Sequence, residues 1–413
     1  MGKLVKLIGI LCFVGCVLAP SNFMFSQPVY HASLQMNDRL SIPFEVTFLE
    51  GNSPTLTIIN GQEKINMRFL KSQNDTVYME FPEIAGLITF HKSSHTGYWT
   101  NLNKTAPTQY PFSFYPSGTG NDARFDTKLD SIPLNFEGTF DVTFTDQSGE
   151  SGAIGMFSQQ GNLVVGTFRT ETGDYRYLAG GVYNGALKLS CFDGVHAYLF
   201  EARQLKNEHG DSVLIGSFYA GSKYSATWTG KKNPEAALTP SNALCWPLAP
   251  LDRLNITVIN SKGKNKKLSP DFFKGTPTVV QLMGTWCPNC LDESKYFIEL
   301  SKNNNFTGVR FVGVAFENGI STHDKLSRLK RYKKKMGINY PLYLGGGAST
   351  KEAHAIFNQL NGVFAFPTTL FLDGSGRIIE VHTGFDGPAT GAHYEVMKQE
   401  TESLLQKLLH PVE

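Results

Sequence analysis

The chain has 413 residues with a net charge of +2, 41% of them hydrophobic and 12% aromatic. That length and apolar content suffice for two cores, so two domains are expected. The near-neutral charge gives no reason to expect nucleic acid as a partner, and six cysteines in this length are not a disulfide scaffold.

Lys3 and Lys6 precede the apolar run Leu7–Ala19, the charged start and short hydrophobic core of a secretory signal over residues 1–26. The run is too short for a comfortable membrane span, so the remainder is expected outside the cytoplasm, in a periplasm. Phe13-Val-Gly-Cys16 resembles a relaxed bacterial lipoprotein box, which would make Cys16 a lipidated first residue and anchor the protein to the membrane. Cleavage near Ser26 would instead leave Gln27 first.

Residues 27–235 read as a β-rich module. Glu45–Leu49, Thr55–Ile59, Val77–Phe81, Gly86–Phe90, Asn162–Arg169, Ala186–Cys191, Ala197–Ala202 and Val213–Tyr219 alternate apolar and polar residues between Gly, Asn and Asp. Short strands at such spacing predict an all-β sandwich or barrel. Its aromatics Tyr175, Tyr177, Phe218, Tyr219, Tyr224 and Trp228 sit at strand spacing and are expected in the core or in cross-strand pairs. His91, His95 and His196 lack metal-ligand spacing, and no metal is expected. Residues 236–250, rich in Ala and Pro, read as a linker.

The segment 251–413 carries the chemistry. An apolar strand, Thr278–Met283, runs into Trp286-Cys-Pro-Asn-Cys290 and a helix over 287–303. A Cys at a helix start sees the positive end of the helix dipole, which lowers its pKa below the roughly 8.5 of a free thiol. Cys287 is therefore the expected nucleophile. Pro288 suits the first helical turn. Cys290, three residues on, shares the helix face and can resolve a mixed disulfide. A zinc site would need a second Cys or His pair, and Cys191 and Cys245 stand alone. Those two could pair with each other or remain buried thiols.

Cys290, Glu293, Phe297 and Leu300 form one helical stripe, which turns the Glu293 carboxylate inward. Burial would raise its pKa and fit it to accept the Cys290 proton. Further on, the pattern predicts a strand at Val309–Phe316, a Lys/Arg-rich helix at His323–Met336, a strand at Pro341–Leu344 and a helical stretch near Thr350–Leu360. Two strands then flank the hairpin turn Asp373-Gly-Ser-Gly376, and an amphipathic helix closes the chain. The basic helix reads as a solvated face, with a hold on anionic lipid or an acidic partner as the alternative. Gly345–Gly347 reads as a flexible turn, since no phosphate-loop Lys follows.

Residues from about 251 to 409 resemble the extracytoplasmic thioredoxin-like oxidoreductases of the TlpA/ResA type, including relatives that serve cytochrome c maturation. The resemblance rests on Trp286-Cys-Pro-Asn-Cys290, on Glu293 and on Phe366-Pro-Thr-Thr369. It implies an α/β thioredoxin-like fold, a cis Pro367 against the Cys pair and a Phe366 backbone that docks substrate. Trp286 and Thr368 complete the implied substrate-binding set. The region before it looks like the β-rich modules that precede such domains in secreted proteins of Bacteroidota. One departure is Gln281, where thioredoxins carry a buried Asp, which shifts proton handling toward Glu293.

The expectation is a thiol-disulfide oxidoreductase, usually a reductant in this family, acting on protein disulfides through the redox-active pair Cys287–Cys290. It needs no other cofactor, and a membrane thiol carrier outside the cytoplasm would re-reduce it. A thiol peroxidase, or a binding protein with a structural Cys pair, are the alternatives.

Overall fold

A computed structural model describes residues 28–411, apart from 105, 118–123, 126–127, 131–133, 207–209, 211 and 251. The expected signal segment, with Lys3, Lys6, Cys16 and the cleavage site near Gln27, lies outside the described residues.

The N-terminal half is all β, and it forms two nine-stranded sheets. The first is an antiparallel meander from Val29–Asn37 to Thr108–Pro116, whose first strand pairs with both Leu40–Leu49 and the last strand. In Leu40–Leu49 the alternate residues Ile42, Phe44, Val46 and Phe48 are buried, as a pleated strand with one wet face requires. The second sheet starts at Gly138–Asp146, which pairs with both Gly149–Gln160 and Tyr224–Lys232. Gly149–Gln160 in turn pairs with Leu163–Thr170, so eight strands close into a barrel, with the short strand Gly173–Asp174 added beside Leu163–Thr170. Phe200 and Phe218 stack inside it with centroids 4.1 Å apart, and Trp228 is buried with them. Tyr175 joins this core, whereas Tyr224 is exposed.

Phe192 of the second sheet belongs to the first core, with its ring 4.9 Å from Phe44 and 5.0 Å from Trp99. The two β units thus share buried apolar surface.

The C-terminal unit is a seven-stranded mixed sheet. At its centre, Thr278–Met283 runs parallel to Arg310–Glu317, which runs parallel to Leu342–Gly347. Thr368–Leu372 and Ile378–Thr383 add antiparallel strands on the other side, and the hairpin Ile256–Ile259 with Asn265–Leu268 caps the far edge. All six residues of Thr278–Met283 are buried, as in a strand covered on both faces. Helices Pro288–Lys302, Thr322–Met336, Thr350–Ile356 and Ala392–Leu409 complete the thioredoxin-like order.

Two expectations are corrected, and one open alternative is decided. The basic helix is more than a solvated face: Arg328 donates to the carbonyls of Leu102, Asn103 and Lys104, and Lys335 to Glu80 and the Phe81 carbonyl. Arg328 and Lys335 hold the first β unit, while Lys330, Arg331 and Lys334 are exposed as a solvated face would have them. Gly345–Gly347 is not a flexible turn but the end of a strand paired with Phe316 and Glu317. Gly347 N–H also donates to Glu352, and a Cβ on Gly345 would strike the Phe316 ring. Cys191 and Cys245 are free, each buried in a different core.

Candidate active site

The redox helix begins at Pro288, so Cys287 is its N-cap residue. Its Sγ accepts the Cys290 N–H at 3.2 Å, which satisfies one of the donors a helix start leaves unpaired. The two cysteines are joined in a disulfide with Cα atoms 5.2 Å apart. Cys287 is only 7% exposed, whereas Cys290 is fully buried.

Phe366–Pro367 is a cis peptide bond, and the Phe366 carbonyl lies 3.4 Å from Cys287 Sγ. Trp286 stands edge-on to the Phe366 ring at 5.9 Å and donates its indole N–H to the Phe316 carbonyl at 2.9 Å. Thr368 does not join the substrate face. It is fully buried in its strand and its hydroxyl donates to the Ala365 carbonyl, so it shapes the turn from within.

Glu293 is buried behind the pair, as the helical stripe implied. Gln281 Nε2 donates to its Oε2 and Thr369 Oγ1 to its Oε1, each at 2.8 Å. Gln281 also reaches the Cys290 carbonyl at 3.3 Å. Desolvation outweighs these two neutral donors and pushes the Glu293 pKa up to about 7. A cleft of about 850 Å³ lies beside Glu293, lined also by Phe297, Phe371, His382 and Leu404.

Sequence reasoning missed Glu317. At the end of Arg310–Glu317 its buried carboxylate accepts both the N–H (2.6 Å) and the hydroxyl (2.8 Å) of Thr285, two residues before Cys287. Burial pushes its pKa to about 7. An acidic residue closing an otherwise apolar strand was the available signal.

Sequence reasoning also missed the β module's approach to the site. Asn289, between the two cysteines, donates to the Asp174 carbonyl at 3.0 Å. Asp292 of the redox helix pairs with Arg176 at 3.0 Å, and Arg176 also holds Glu63 (2.7 Å) and Asp193 (3.2 Å) in a buried junction of all three sheets. Among the described residues no cluster of His, Cys, Asp and Glu is arranged to hold a metal ion.

Residues 246–396 match the family model described as Redoxin. This segment is a redoxin domain. The chain aligns with the thiol:disulfide interchange protein DsbE of Haemophilus influenzae at 28% identity, over 28% of this chain and 55% of that one. Against the thiol-disulfide oxidoreductase ResA of Halalkalibacterium halodurans the figures are 23%, 27% and 56%. The chain thus spans little more than half the length of these relatives. Among solved structures, a thioredoxin family thiol:disulfide interchange protein from Chlorobium tepidum aligns at 24% identity with a TM-score of 0.30, covering 40% of this chain and 99% of that one.

Proposed function

We propose that the protein is an extracytoplasmic thiol-disulfide oxidoreductase that reduces disulfides in other proteins. The observation that carries this reading is the convergence of Cys287, Cys290, the Phe366 backbone and the buried Glu293 at one helix start. The likeness to interchange proteins supports it.

The reduced pair would act in two exchanges. The Cys287 thiolate attacks one sulfur of a substrate disulfide, and the other substrate sulfur leaves as a thiolate that takes a proton. Cys290 then gives its proton to Glu293 and attacks Cys287 Sγ. The mixed disulfide breaks, Cys287–Cys290 forms, and the second substrate thiol is released. The substrate gains the two electrons that the Cys pair loses. Glu293 passes its proton on toward the adjoining cleft, and the Phe366 carbonyl holds the incoming backbone. No cofactor beyond the Cys pair enters the chemistry.

The return step needs a dithiol donor outside the cytoplasm, which fits a membrane-embedded thiol carrier. The signal-like residues 1–26 support that compartment, the Phe13-Val-Gly-Cys16 match supports lipid anchoring at Cys16, and the family resemblance supports a place in cytochrome c maturation.

The test is the redox equilibrium of the mature protein against glutathione, read by thiol trapping with Cys191 and Cys245 changed to Ala. A potential near the roughly −270 mV of thioredoxin supports a reductant, and one near the roughly −120 mV of strong oxidants reverses the direction. A pair that neither glutathione nor dithiothreitol reduces leaves only a structural bridge.

A further inference from the structure

The turn Thr170–Asp174 of the closed barrel lies beside the Cys pair, against two separate segments of the redoxin domain, the start of the redox helix and the loop Gly384–Gly387. Asp174 accepts Asn289 Nδ2 through its carbonyl and the Gly387 N–H through its carboxylate. Arg169 clamps Asp386 with two bonds of 2.8 and 2.7 Å. The loop Gly384–Gly387 is itself tied to the docking edge, because Gly384 N–H donates to the Pro367 carbonyl at 2.9 Å.

Close backbone approach marks this contact as built in. A Cβ on Gly384 would come within 2.8 Å of Gly173 N, and one on Gly387 within 2.8 Å of Asp174 Oδ2. A Cβ on Gly173 would strike the Asn289 amide. Glycine at 384 is what lets the two backbones meet at this distance, and glycine at 387 and 173 leaves room for the Asp174 carboxylate and the Asn289 amide. Behind them the buried Arg176–Asp292 pair would leave uncompensated charge if the surfaces parted.

The turn thus covers Asn289, between the two cysteines, and backs the loop that holds Pro367. The Trp286 ring next to Cys287 is half-buried against Phe366, and Phe364, two residues before Phe366 in the chain, is exposed.

We infer that the barrel turn Thr170–Asp174 is a fixed wall of the substrate groove, which restricts Cys287 to disulfides carried on an extended segment with apolar flanks. This rests on the proposed disulfide exchange. A flat face of a folded domain would collide with the wall before its sulfur reached Cys287. An extended segment can lie along Phe366, as an added strand does, with its side chains toward Trp286 and Phe364.

The test compares two probes with the full-length reduced protein: a short linear peptide joined by a disulfide to glutathione, and native insulin. Wild type should favour the peptide by about tenfold or more in kcat/KM. Gly387→Val is the informative variant, since Gly387 has φ −77° and tolerates a side chain, yet its Cβ would wedge Asp174 outward. Arg169→Ala loosens the same wall from its other end. Both should bring the two probes to within about threefold of each other, chiefly by raising the insulin rate, while the Cys287–Cys290 equilibrium against glutathione stays unchanged. Equal wild-type rates, or variants that slow both probes in proportion, overturn the wall. Wild type that exchanges with neither probe overturns the proposed reaction itself.

Discussion

Gln281 donates its amide N–H to Glu293 across 2.8 Å, from the strand position that thioredoxins fill with an ionisable Asp. The helix carboxylate is thus held by neutral donors, Gln281 and Thr369, with burial setting its proton affinity.

Glu293→Gln keeps the shape and removes the proton site. Turnover at pH 7 should fall by about 10²-fold, the lower range for losing a positioned acid-base group. The inflection near pH 7 in the wild-type resolution rate should vanish with it. Single-turnover decay of the mixed disulfide between pH 5 and 9 reads both, and an unchanged profile removes Glu293 from the mechanism.

The same group has a signature in stability. Its pKa rises from 4.5 in the unfolded chain to about 7 in the fold, so between those values the folded state binds more protons. Stability from this group therefore falls as pH climbs from 4.5 to about 7 and then levels. Glu317 and Asp174, also raised to about 7, carry the same sign. Glu293→Gln should cut the pH 5 to pH 8 difference in urea-unfolding free energy by about 3 kcal/mol. A difference as large as in wild type would contradict the assignment.

Arg176→Ala strips the shared partner from Glu63, Asp193 and Asp292 at the buried junction. Leaving such carboxylates unpaired should cost about 3–5 kcal/mol at pH 8. The cost should shrink at pH 5, because Glu63 and Asp292 have raised pKa values and take up protons more readily. Denaturant titration at the two pH values checks the sign, and a pH-independent loss below about 1 kcal/mol would show that the junction holds little.

Cys290→Ala should trap a mixed disulfide on Cys287 that gel mobility without reductant detects, while Cys287→Ser should form none. Iodoacetamide alkylation of reduced Cys287 should titrate below the roughly 8.5 of a free thiol, because the Cys290 N–H and the helix start favour the thiolate. Trapping on Cys290 instead would exchange the two roles.

Local pattern alone determined the core of the redox motif. Thr278–Met283 is a strand at its expected bounds, the redox helix starts within one residue of its expected position, and Glu293 faces inward because Cys290, Glu293, Phe297 and Leu300 share one helical stripe. Such periodicities are written in neighbouring residues, so a sequence carries them openly. The β-rich character of residues 28–232 was legible for the same reason. Its division into a meander and a closed barrel was not, since closure depends on Gly138–Asp146 meeting Tyr224–Lys232 about eighty residues away. Nor could pattern find the wall at Thr170–Asp174, the Arg176 junction or the grip of Arg328 on Leu102. Each joins residues more than 100 positions apart, through single glycines and single charges that look like ordinary turn and surface residues until the tertiary fold buries them together.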